Sequence, residues 1–305
     1  MLTHFDRARL AFEWPSSVVC IGTFDGIHLG HQEVIRTAVE LARSAEIPAV
    51  AVTFDRHPSE VLAPDFRPAY IASLASDLAE FSRLGVAATV VLPFDLGLSR
   101  MSASAFLEEI LVGQLAASQL VVGHDFALGH GREGTADWLA SRIPTTCLEP
   151  FEIDGERVSS RRIREFIRQG DVATANRWLG HPFEVAGVVS HGQKLGRTLG
   201  FPTVNIARSF DQVMLADGVY AARATTRYGE FNAALAVGMR PAVGGQSRTI
   251  EAYLLDYPGE SLYGSVVRLD VKEFLRPEQN FASLDDLITQ MTLDVDRVRQ
   301  MMGSQ

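Results

Sequence analysis

From residue 17 to about residue 180, the hydrophobic positions follow two patterns in turn, one typical of strands and one typical of helices. Short apolar runs typical of buried strands alternate with stretches in which apolar residues recur at helical spacing. The strand-like runs are SVVCIGTF, PAVAVTF, AATVVLPF and QLVVGHDF, and the helix-like stretches are EVIRTAVELARS, ASDLAEFSRLG and SASAFLEEILVGQLA. This alternation predicts an α/β fold in which helices cover both faces of a parallel sheet.

After residue 182 the pattern changes to closely spaced strands. FEVAGVVS, GVYAARATT, FNAALAVG, TIEAYLLDY and SVVRLDVKEFL are separated by Gly, Pro and Asp turns, which is typical of a small antiparallel β-barrel. The chain ends in a predicted helix that begins with a capping-box-like Ser283 and Asp286 and packs on the barrel. Its apolar stripe is formed by Leu284, Leu287, Ile288, Met291, Val295 and Val298. We therefore predict two domains, 1–181 and 182–305, with the boundary in RWLGHPFEV.

Composition limits the kinds of partner that the chain is expected to have. Of its 305 residues, 47% are hydrophobic and 21% are charged, and the formal net charge is −9. This acidic balance argues against binding to nucleic acid or to an anionic membrane. The segment MLTHFDRARLAFEW interrupts its apolar residues with charges, and no apolar run is long enough to span a bilayer, so we expect a cytoplasmic protein. Cys20 and Cys147 lack the spacing of a disulfide framework or a zinc site, and we expect both to be buried.

Polar segments follow three of the predicted parallel strands. GTFDGIHLGH, TFDRHP and GHDFALGHG all fall at carboxyl ends of strands, so we expect them to meet at one edge of the sheet. In the first segment, His28 and His31 lie at a strand-to-helix turn. A phosphate at that turn would meet free backbone N–H groups, the positive end of a helix dipole and two imidazoles. The alternative for two such histidines is a structural role, capping the helix or satisfying buried carbonyls.

The residues around these histidines carry a resemblance to a known family. GTFDGIHLGH resembles the G-x-F-D-G-x-H-x-G-H signature of the nucleotidyltransferase superfamily, in the form used by bacterial bifunctional riboflavin kinase/FAD synthetases. The resemblance continues through VTFDRHPSEVL, VVGHDFALGHGREG and VSSRRIREFIRQGDVATANRWLG, and it covers essentially the whole chain. It implies a Rossmann-like nucleotidyltransferase domain that adenylylates FMN with ATP, giving FAD and pyrophosphate.

The resemblance also implies roles for individual residues of the first domain. His28 and His31 would bind the ATP phosphates and stabilise charge, and Arg164 would be the cationic partner of the phosphates. Such chemistry needs positioning and charge neutralisation rather than a covalent nucleophile. Further nucleotide-binding positions implied by the matched motifs are Gly22, Phe24, Asp25, Gly30, Asp125, Ser159 and Ser160.

A second set of candidate residues lies in GQKLGRTLGFPTVNI, residues 192–206. Glycines allow the backbone to wrap closely around phosphates, and hydroxyl and amide oxygens are ligands suited to Mg²⁺. A plain turn between barrel strands is the alternative. The stretch resembles the riboflavin kinase motif G-[FY]-P-T-x-N, which implies Thr203 and Asn205 as Mg²⁺ ligands. The remaining binding positions implied here are Gly192, Gly196, Gly200 and Pro202.

Glu251 is the candidate catalytic residue of the second domain. In SRTIEAYLLDY it lies on the strand face opposite to Ile250, Ala252 and Leu254, where a glutamate is ordinarily just solvated. It matches the family's general base, which implies that it would deprotonate the ribityl 5′-hydroxyl of riboflavin for attack on the γ-phosphorus of ATP, giving FMN. SLYGSVVRLDVKEFLRPEQNF matches a further family run and implies that Arg276 binds a ligand near Phe281.

The chain departs from the family motifs at several positions. Arg161 replaces a small hydroxyl residue after Ser159 and Ser160, and Arg56 replaces a proline. The other replacements are Ala127 and Leu128 for an arginine and an aromatic residue, and Ala236 and Ala242 for an asparagine and a threonine. The leading interpretation is a bifunctional enzyme that uses ATP, riboflavin, FMN and Mg²⁺. The alternatives are a riboflavin kinase with a degenerate first domain and a non-catalytic flavin-binding regulator; oligomeric state is left open.

Overall fold

A computed structural model describes residues 1–5, 14–63, 65, 69–192, 195–242 and 245–303. Part of the predicted charged N-terminal segment, residues 6–13, therefore lies outside the described residues, as does the side chain of Ala242. Contacts between residues divide the chain into two compact units, Met1–Ser160 and Arg161–Gln305. Each unit is described separately below.

The first unit is built on a six-stranded parallel sheet. Its strands lie in the order β1-β4-β3-β2-β5-β8. Their bounds are β1 Leu2–His4, β2 Ser17–Ile21, β3 Ala49–Phe54, β4 Ala88–Leu92, β5 Ala117–Gly123 and β8 Thr145–Leu148. Two short hairpins follow β5 and β8, formed by β6 Ala127–Leu128 with β7 Gly134–Thr135 and by β9 Glu152–Ile153 with β10 Glu156–Arg157. The prediction of a parallel sheet is confirmed.

Helices pack on this sheet as the alternating pattern predicts. They are α1 Leu29–Ser44, α2 Pro58–Leu62, α3 Leu74–Arg83, α4 Leu96–Ser99, α5 Ala103–Ala105 and α6 Ala136–Ala140, with a π-helix at Phe106–Val112 and a 3₁₀ turn at His130–Arg132. Val19 and Ile21 of β2 belong to one buried apolar cluster, whereas Val18 and Cys20 belong to another. Because successive strand residues point to opposite faces, the unit has a core on each side of the sheet.

The strand order places a crevice beside β2. On one side, β2 pairs with β3, the next strand of this sheet in the chain. On its other side, β2 pairs with β5, so the strand order reverses between β2 and β5. Ligands of such sheets bind outside the carboxyl ends of the strands at this point of reversal. The segments that follow β2 and β5, residues 22–28 and 124–131, are those that the sequence selects.

The second unit contains a closed antiparallel barrel with the strand order β11-β12-β15-β14-β13-β16. Its elements are α7 Ser160–Gln169, α8 Val172–Leu179, β11 Phe183–Ser190, α9 Leu195–Thr198, β12 Thr203–Ala207, β13 Gly218–Thr226, β14 Gly229–Ala242, β15 Gly245–Leu254, β16 Val266–Pro277 and α10 Leu284–Met302. The predicted barrel is confirmed, and β12 adds a strand that the apolar pattern did not show.

Helix α8 packs against the barrel. The side-chain amide of Asn176 donates to the carbonyl of Val271 at 2.9 Å and accepts the N–H of Phe183 at 2.7 Å. These contacts agree with the grouping of α8 with the second unit, which begins at residue 161. The boundary expected from the sequence lies about twenty residues later, and as a limit between functional domains it stays a prediction.

The C-terminal helix begins as the sequence predicts. The hydroxyl of Ser283 accepts the N–H of Asp286 at 3.1 Å and caps α10. Val295 and Val298 are buried, but Leu284 at the first turn is exposed. Among the described residues, no helix is both long and apolar enough to cross a bilayer.

The two cysteines have different environments. Cys20 is buried in β2, and burial raises the pKa of its thiol to about 12. The expectation that Cys147 is buried is wrong: it lies on β8, an edge strand of the sheet, and is exposed.

Candidate active sites

The turn after β2 places the two predicted histidines at the start of α1. Gly26 and Ile27 have positive φ angles of 74° and 28°, and His28 then becomes the N-cap residue. Nδ1 of His28 accepts the N–H of His31 at 3.2 Å. An imidazole that accepts at Nδ1 carries its proton on Nε2 when neutral, so His28 caps the helix and keeps one N–H donor. The capping role considered from the sequence is thus present in the structure, and the ligand-binding role stays a prediction.

The histidine rings form a compact aromatic group. His28 and His31 stack with their centroids 3.6 Å apart, and Phe24 packs edge-on against His31 at 5.2 Å. A Cβ atom on Gly30 would lie 3.3 Å from Cε1 of His28, so the absence of a side chain at residue 30 leaves room for the imidazole. The matched motif residues Phe24 and Gly30 thus position the histidine pair.

A cavity of about 670 Å³ opens at this turn. The predicted site residues that line it are Gly22, Phe24, His28, Gly30, His31, Asp125, Ser159 and Ser160. Part of its wall is apolar and aromatic, formed by Phe54, Phe94, Leu98, Phe106, Phe126 and Leu128. The cavity therefore joins polar groups at a helix N-terminus with a surface suited to a flat aromatic ring.

Asp25 is absent from the lining of this cavity. Its carboxylate is buried and accepts the backbone N–H groups of Ile71 at 2.8 Å and Ala72 at 3.2 Å. The hydroxyl of Ser160 reaches the backbone carbonyl of Asp25 at 3.4 Å. Asp25 thus fixes the turn to the segment before α3, and its assignment to nucleotide binding stays a prediction.

Two arginines that the sequence reasoning missed lie beside Asp125. Nη2 of Arg157 is 2.5 Å from the Asp125 carboxylate, and Nη2 of Arg132 donates to the Asp125 carbonyl at 2.8 Å. Burial raises the pKa of Asp125, but the hydrogen bond and charge of Arg157 outweigh it and hold this pKa below its usual value. Both arginines line the cavity and supply positive charge close to Ala127, where the family motif has an arginine. The position of Arg157 directly before the Val158-Ser159-Ser160 motif was the signal that could have identified it.

Arg161 and Arg164 lie on α7, in the second unit. The Arg161 side chain is 88% exposed and forms an ion pair with Glu165, with Nε and Oε1 3.4 Å apart. Arg162 approaches the same carboxylate at 2.7 Å, and these arginines lower the pKa of Glu165. The phosphate-binding role of Arg164 stays a prediction.

In the barrel, neighbouring strands bring the predicted kinase residues together. Asn205 of β12 lies opposite Glu251 of β15, and Thr203 is two residues before Asn205, so all three lie on one face of the wall. Oγ1 of Thr203 donates to Oε2 of Glu251 at 3.2 Å. Glu251 is only 7% exposed, so the alternative of a solvated glutamate is wrong.

The glycines before β12 allow close approach of the backbone to these residues. A Cβ atom on Gly192 would lie 2.3 Å from the side-chain nitrogen of Asn205. A Cβ atom on Gly196 would lie 2.4 Å from the carbonyl oxygen of Phe201 and 3.5 Å from Oγ1 of Thr203. Gly200 has a φ of +87°, and this turn leads through Pro202 into β12. The spacing of glycines therefore has a steric basis.

A second cavity, of about 620 Å³, includes Gly196, Thr203 and Glu251 in its lining. Its apolar wall is formed by Phe201, Val219, Val237, Phe281, Leu287 and Met291. Ala236 also lines it, which places this departure from the family motif at the ligand-facing surface. The other predicted positions, Gly192, Gly200, Pro202 and Asn205, are not part of this lining.

Arg276 lines the same cavity but already has a partner within the protein. Its guanidinium forms a bidentate ion pair with Asp294 of α10, with Nε–Oδ1 and Nη2–Oδ2 distances of 2.9 and 2.8 Å. The two side chains are 14% and 8% exposed, and the Arg276 guanidinium lies 5.8 Å from the ring centre of Phe281. The arginine thus joins β16 to α10, and its predicted contact with a ligand stays a prediction.

An α/β domain with imidazoles at a helix N-terminus, followed by a barrel with a buried glutamate, defines a two-domain enzyme of nucleotide-dependent group transfer. Residues 11–162 match the family model for FAD synthetase, and residues 179–302 match the model for riboflavin kinase. The chain belongs to the bifunctional riboflavin kinase/FMN adenylyltransferase family and carries both of its domains.

Individual relatives support this membership along nearly the whole chain. The Haemophilus influenzae bifunctional riboflavin kinase/FMN adenylyltransferase is 35% identical over 290 residues, covering 93% of this chain and 94% of the relative. The Pseudomonas fluorescens protein of the same name is 36% identical over 295 residues, covering 95% and 94%. A crystal structure described as a macrolide-efflux protein from Streptococcus pneumoniae has 29% identity and a TM-score of 0.88, covering 98% of this chain and 99% of that one.

Proposed function

We propose that the barrel cavity phosphorylates riboflavin to FMN with ATP, and that the cavity of the first unit adenylylates FMN to FAD. The observation that carries this proposal is the division of the predicted residues between two cavities. His28 and His31 line the first, whereas Thr203 and Glu251 line the second. Each cavity also has an apolar wall that suits the flat ring system of a flavin.

In the adenylyl transfer, a phosphate oxygen of FMN attacks the α-phosphorus of ATP and pyrophosphate leaves. The N-terminus of α1 and the Nε2–H of His28 are donors for the phosphate oxygens, and His31 stacks on His28 to fix its plane. Arg132 and Arg157, which line the cavity, supply the remaining positive charge. The phenylalanine wall receives the isoalloxazine ring, which aligns the attacking phosphate.

In the phosphoryl transfer, Glu251 accepts the proton of the ribityl 5′-hydroxyl as the oxygen attacks the γ-phosphorus of ATP. The hydrogen bond from Thr203 holds the Glu251 carboxylate in one orientation. The glycine-rich segment before β12 is the proposed contact for the phosphates, because Gly196 lines the cavity and glycines let the backbone approach a ligand closely.

The oxygen groups of the barrel site fit Mg²⁺. Thr203 offers a hydroxyl and Asn205 an amide oxygen, both hard ligands, beside the Glu251 carboxylate. Among the described residues, no group of three or more His, Cys, Asp or Glu side chains is arranged to hold a metal. The phosphates of ATP would supply further oxygen ligands. When bound, Mg²⁺ neutralises phosphate charge in the transition state. We further propose that the enzyme acts in the cytoplasm, where its small-molecule substrate ATP is available.

Product analysis of the purified chain tests the proposal. The protein is incubated with riboflavin, ATP and Mg²⁺, and the flavins are separated by chromatography. FMN and FAD together are the expected result. FMN alone would indicate a degenerate first domain, and unmodified riboflavin would favour the regulator.

A further inference from the structure

Two buried carboxyl groups hold the turn that carries the histidines. Asp25, within the turn, and Asp77, on α3, are 4% and 5% exposed. Asp25 accepts the backbone N–H groups of Ile71 and Ala72, just before α3. In the opposite direction, Oδ1 of Asp77 accepts the backbone N–H of Gly26 at 3.0 Å. Turn and helix are therefore joined by reciprocal side-chain-to-backbone hydrogen bonds.

The turn needs such support because its backbone is strained. Ile27 is a fully buried β-branched residue with a φ of 28°, a conformation that such residues rarely adopt. Strain of this kind persists only where the surroundings enforce it, and it is concentrated at functional sites. Gly26 precedes Ile27, and His28 follows it. The hydrogen bond between the Gly26 N–H and Asp77 therefore lies two residues before the capping residue His28.

We propose that Asp77 is a positioning residue for FMN adenylyl transfer, because its Oδ1 atom holds the Gly26–Ile27 turn that sets the rings of His28 and His31. This inference rests on the proposed function of the first cavity. Asp77 does not line that cavity, so it acts through the turn rather than on a substrate.

The chemical state of Asp77 shows which property of the side chain matters. Burial, followed by the nearby charge of Asp25, raises the pKa of Asp77 well above its ordinary value; Glu80 on the same helix acts in the same direction. A neutral carboxyl group still accepts a hydrogen bond through its carbonyl oxygen. Asparagine offers the same acceptor at the same distance from the backbone. Glutamate keeps the acid but moves the acceptor, and leucine keeps the shape without any acceptor.

The experiment compares Asp77→Asn, Asp77→Glu and Asp77→Leu in the full chain. FAD formation from FMN and ATP is measured as kcat and KM, and thermal unfolding of the same preparation shows whether the first unit is folded. Riboflavin phosphorylation serves as the control for the amount of intact enzyme. Leu78→Ala is the matched variant, because it removes packing from the same helix and leaves Asp77 in place. We expect Asp77→Asn to retain kcat within about threefold. The Glu and Leu variants should lose on the order of 10²-fold in kcat, the effect of displacing a catalytic group by about 1 Å, with KM for FMN little changed.

Different outcomes separate the inference from the function on which it rests. A folded Asp77→Leu protein with normal FAD formation would overturn the inference, and so would an Asn variant as inactive as Leu with intact kinase activity. If Asp77→Leu does not fold, the Asn and Glu pair decides: an active Glu variant and an inactive Asn variant would mean that charge, rather than acceptor position, is required. Absence of FAD formation by the unmodified chain would instead refute the proposed function.

Discussion

At the scale of single residues, the imidazole of His28 has a structural role, and we propose a chemical role for it as well. Nδ1 caps α1, and the proposed phosphate contact is made by Nε2. Asparagine is a strong N-cap residue but has no imidazole, whereas alanine removes both functions. We predict that His28→Asn and His28→Ala both lower FAD formation about 10²- to 10³-fold, the cost of one lost charge-stabilising donor. Only alanine should also destabilise the first unit, by about 1 kcal/mol.

Flavin chromatography and thermal unfolding of both His28 variants check this prediction. The kinase reaction of the same chain is the control, since the residues proposed for it line the second cavity. Equal stability of the two variants would contradict the capping role, and normal FAD formation by His28→Asn would contradict the role in phosphate binding.

Glu251 is the corresponding test in the barrel. Glutamine keeps an oxygen that accepts the Thr203 hydroxyl, but it is not a base. We predict that Glu251→Gln lowers riboflavin phosphorylation by about 10²- to 10⁴-fold, the usual effect of losing a general base. Added FMN should still be converted to FAD. Normal phosphorylation with an unchanged circular dichroism spectrum would show that Glu251 is not the base.

The sequence selected candidate residues whose expected chemistry is carried by a local motif. The sequence analysis did not select Asp77 or Arg157, because each contacts a residue that is distant in the sequence. Asp77 accepts the N–H of Gly26, and Arg157 forms an ion pair with Asp125. An aspartate in an amphipathic helix ordinarily faces solvent, so the pattern gave no sign of burial. Arg276 was identified, but its partner Asp294 was not, because an ion pair between a strand and a helix depends on packing rather than spacing.

At the scale of secondary structure, hydrophobic periodicity predicted the parallel sheet, its main helices and most of the barrel. It missed β12, because Thr203, Val204 and Asn205 are only partly buried and the strand has no clear alternation. It also missed β1, a three-residue edge strand, and did not distinguish the π-helix at Phe106–Val112 from an α-helix. Short elements that form because of contacts with neighbouring strands or helices produce little hydrophobic periodicity in their own sequence.

The contacts of α8 lead to a prediction about fragments. Trp178 and Leu179 are buried, and Asn176 bonds to Phe183 and Val271, which face each other on the paired strands β11 and β16. A fragment of residues 161–305 should fold and phosphorylate riboflavin. A fragment starting at residue 183 should be less stable by at least about 3 kcal/mol, since it loses two large buried side chains. Thermal unfolding and kinase assays of both fragments test this, and equal stability would contradict it.

The ion pair between β16 and α10 gives a second prediction for this unit. Removing one partner of a buried ion pair typically costs about 3–5 kcal/mol, because the other charge remains buried and unpaired. Asp294→Ala should therefore lower the stability of the barrel unit by this amount, and Arg276→Met combined with Asp294→Leu should recover part of it. Denaturant unfolding followed by circular dichroism measures both. A single variant as stable as the unmodified chain would indicate that α10 is held mainly by Val295 and Val298.

At the scale of the whole molecule, the two predicted sites share no residues, so their reactions should be separable. A His28→Asn protein should convert riboflavin to FMN and stop there. A Glu251→Gln protein should convert only added FMN to FAD. Because FMN is the product of one reaction and the substrate of the other, diffusion through solution is sufficient to connect them.

We therefore predict that mixing the two single variants restores the conversion of riboflavin to FAD, although neither variant carries it out alone. A chain with both substitutions should remain inactive at any concentration, which excludes residual activity as the explanation. The measurement is flavin chromatography over time, with FMN expected to accumulate before FAD, because the intermediate has to leave one protein molecule and bind another. If the mixture makes only FMN, while the Glu251→Gln variant still adenylylates FMN supplied at high concentration, the second step depends on FMN made within the same molecule. If both variants lose both reactions while remaining folded, the assignment of one reaction to each cavity is wrong.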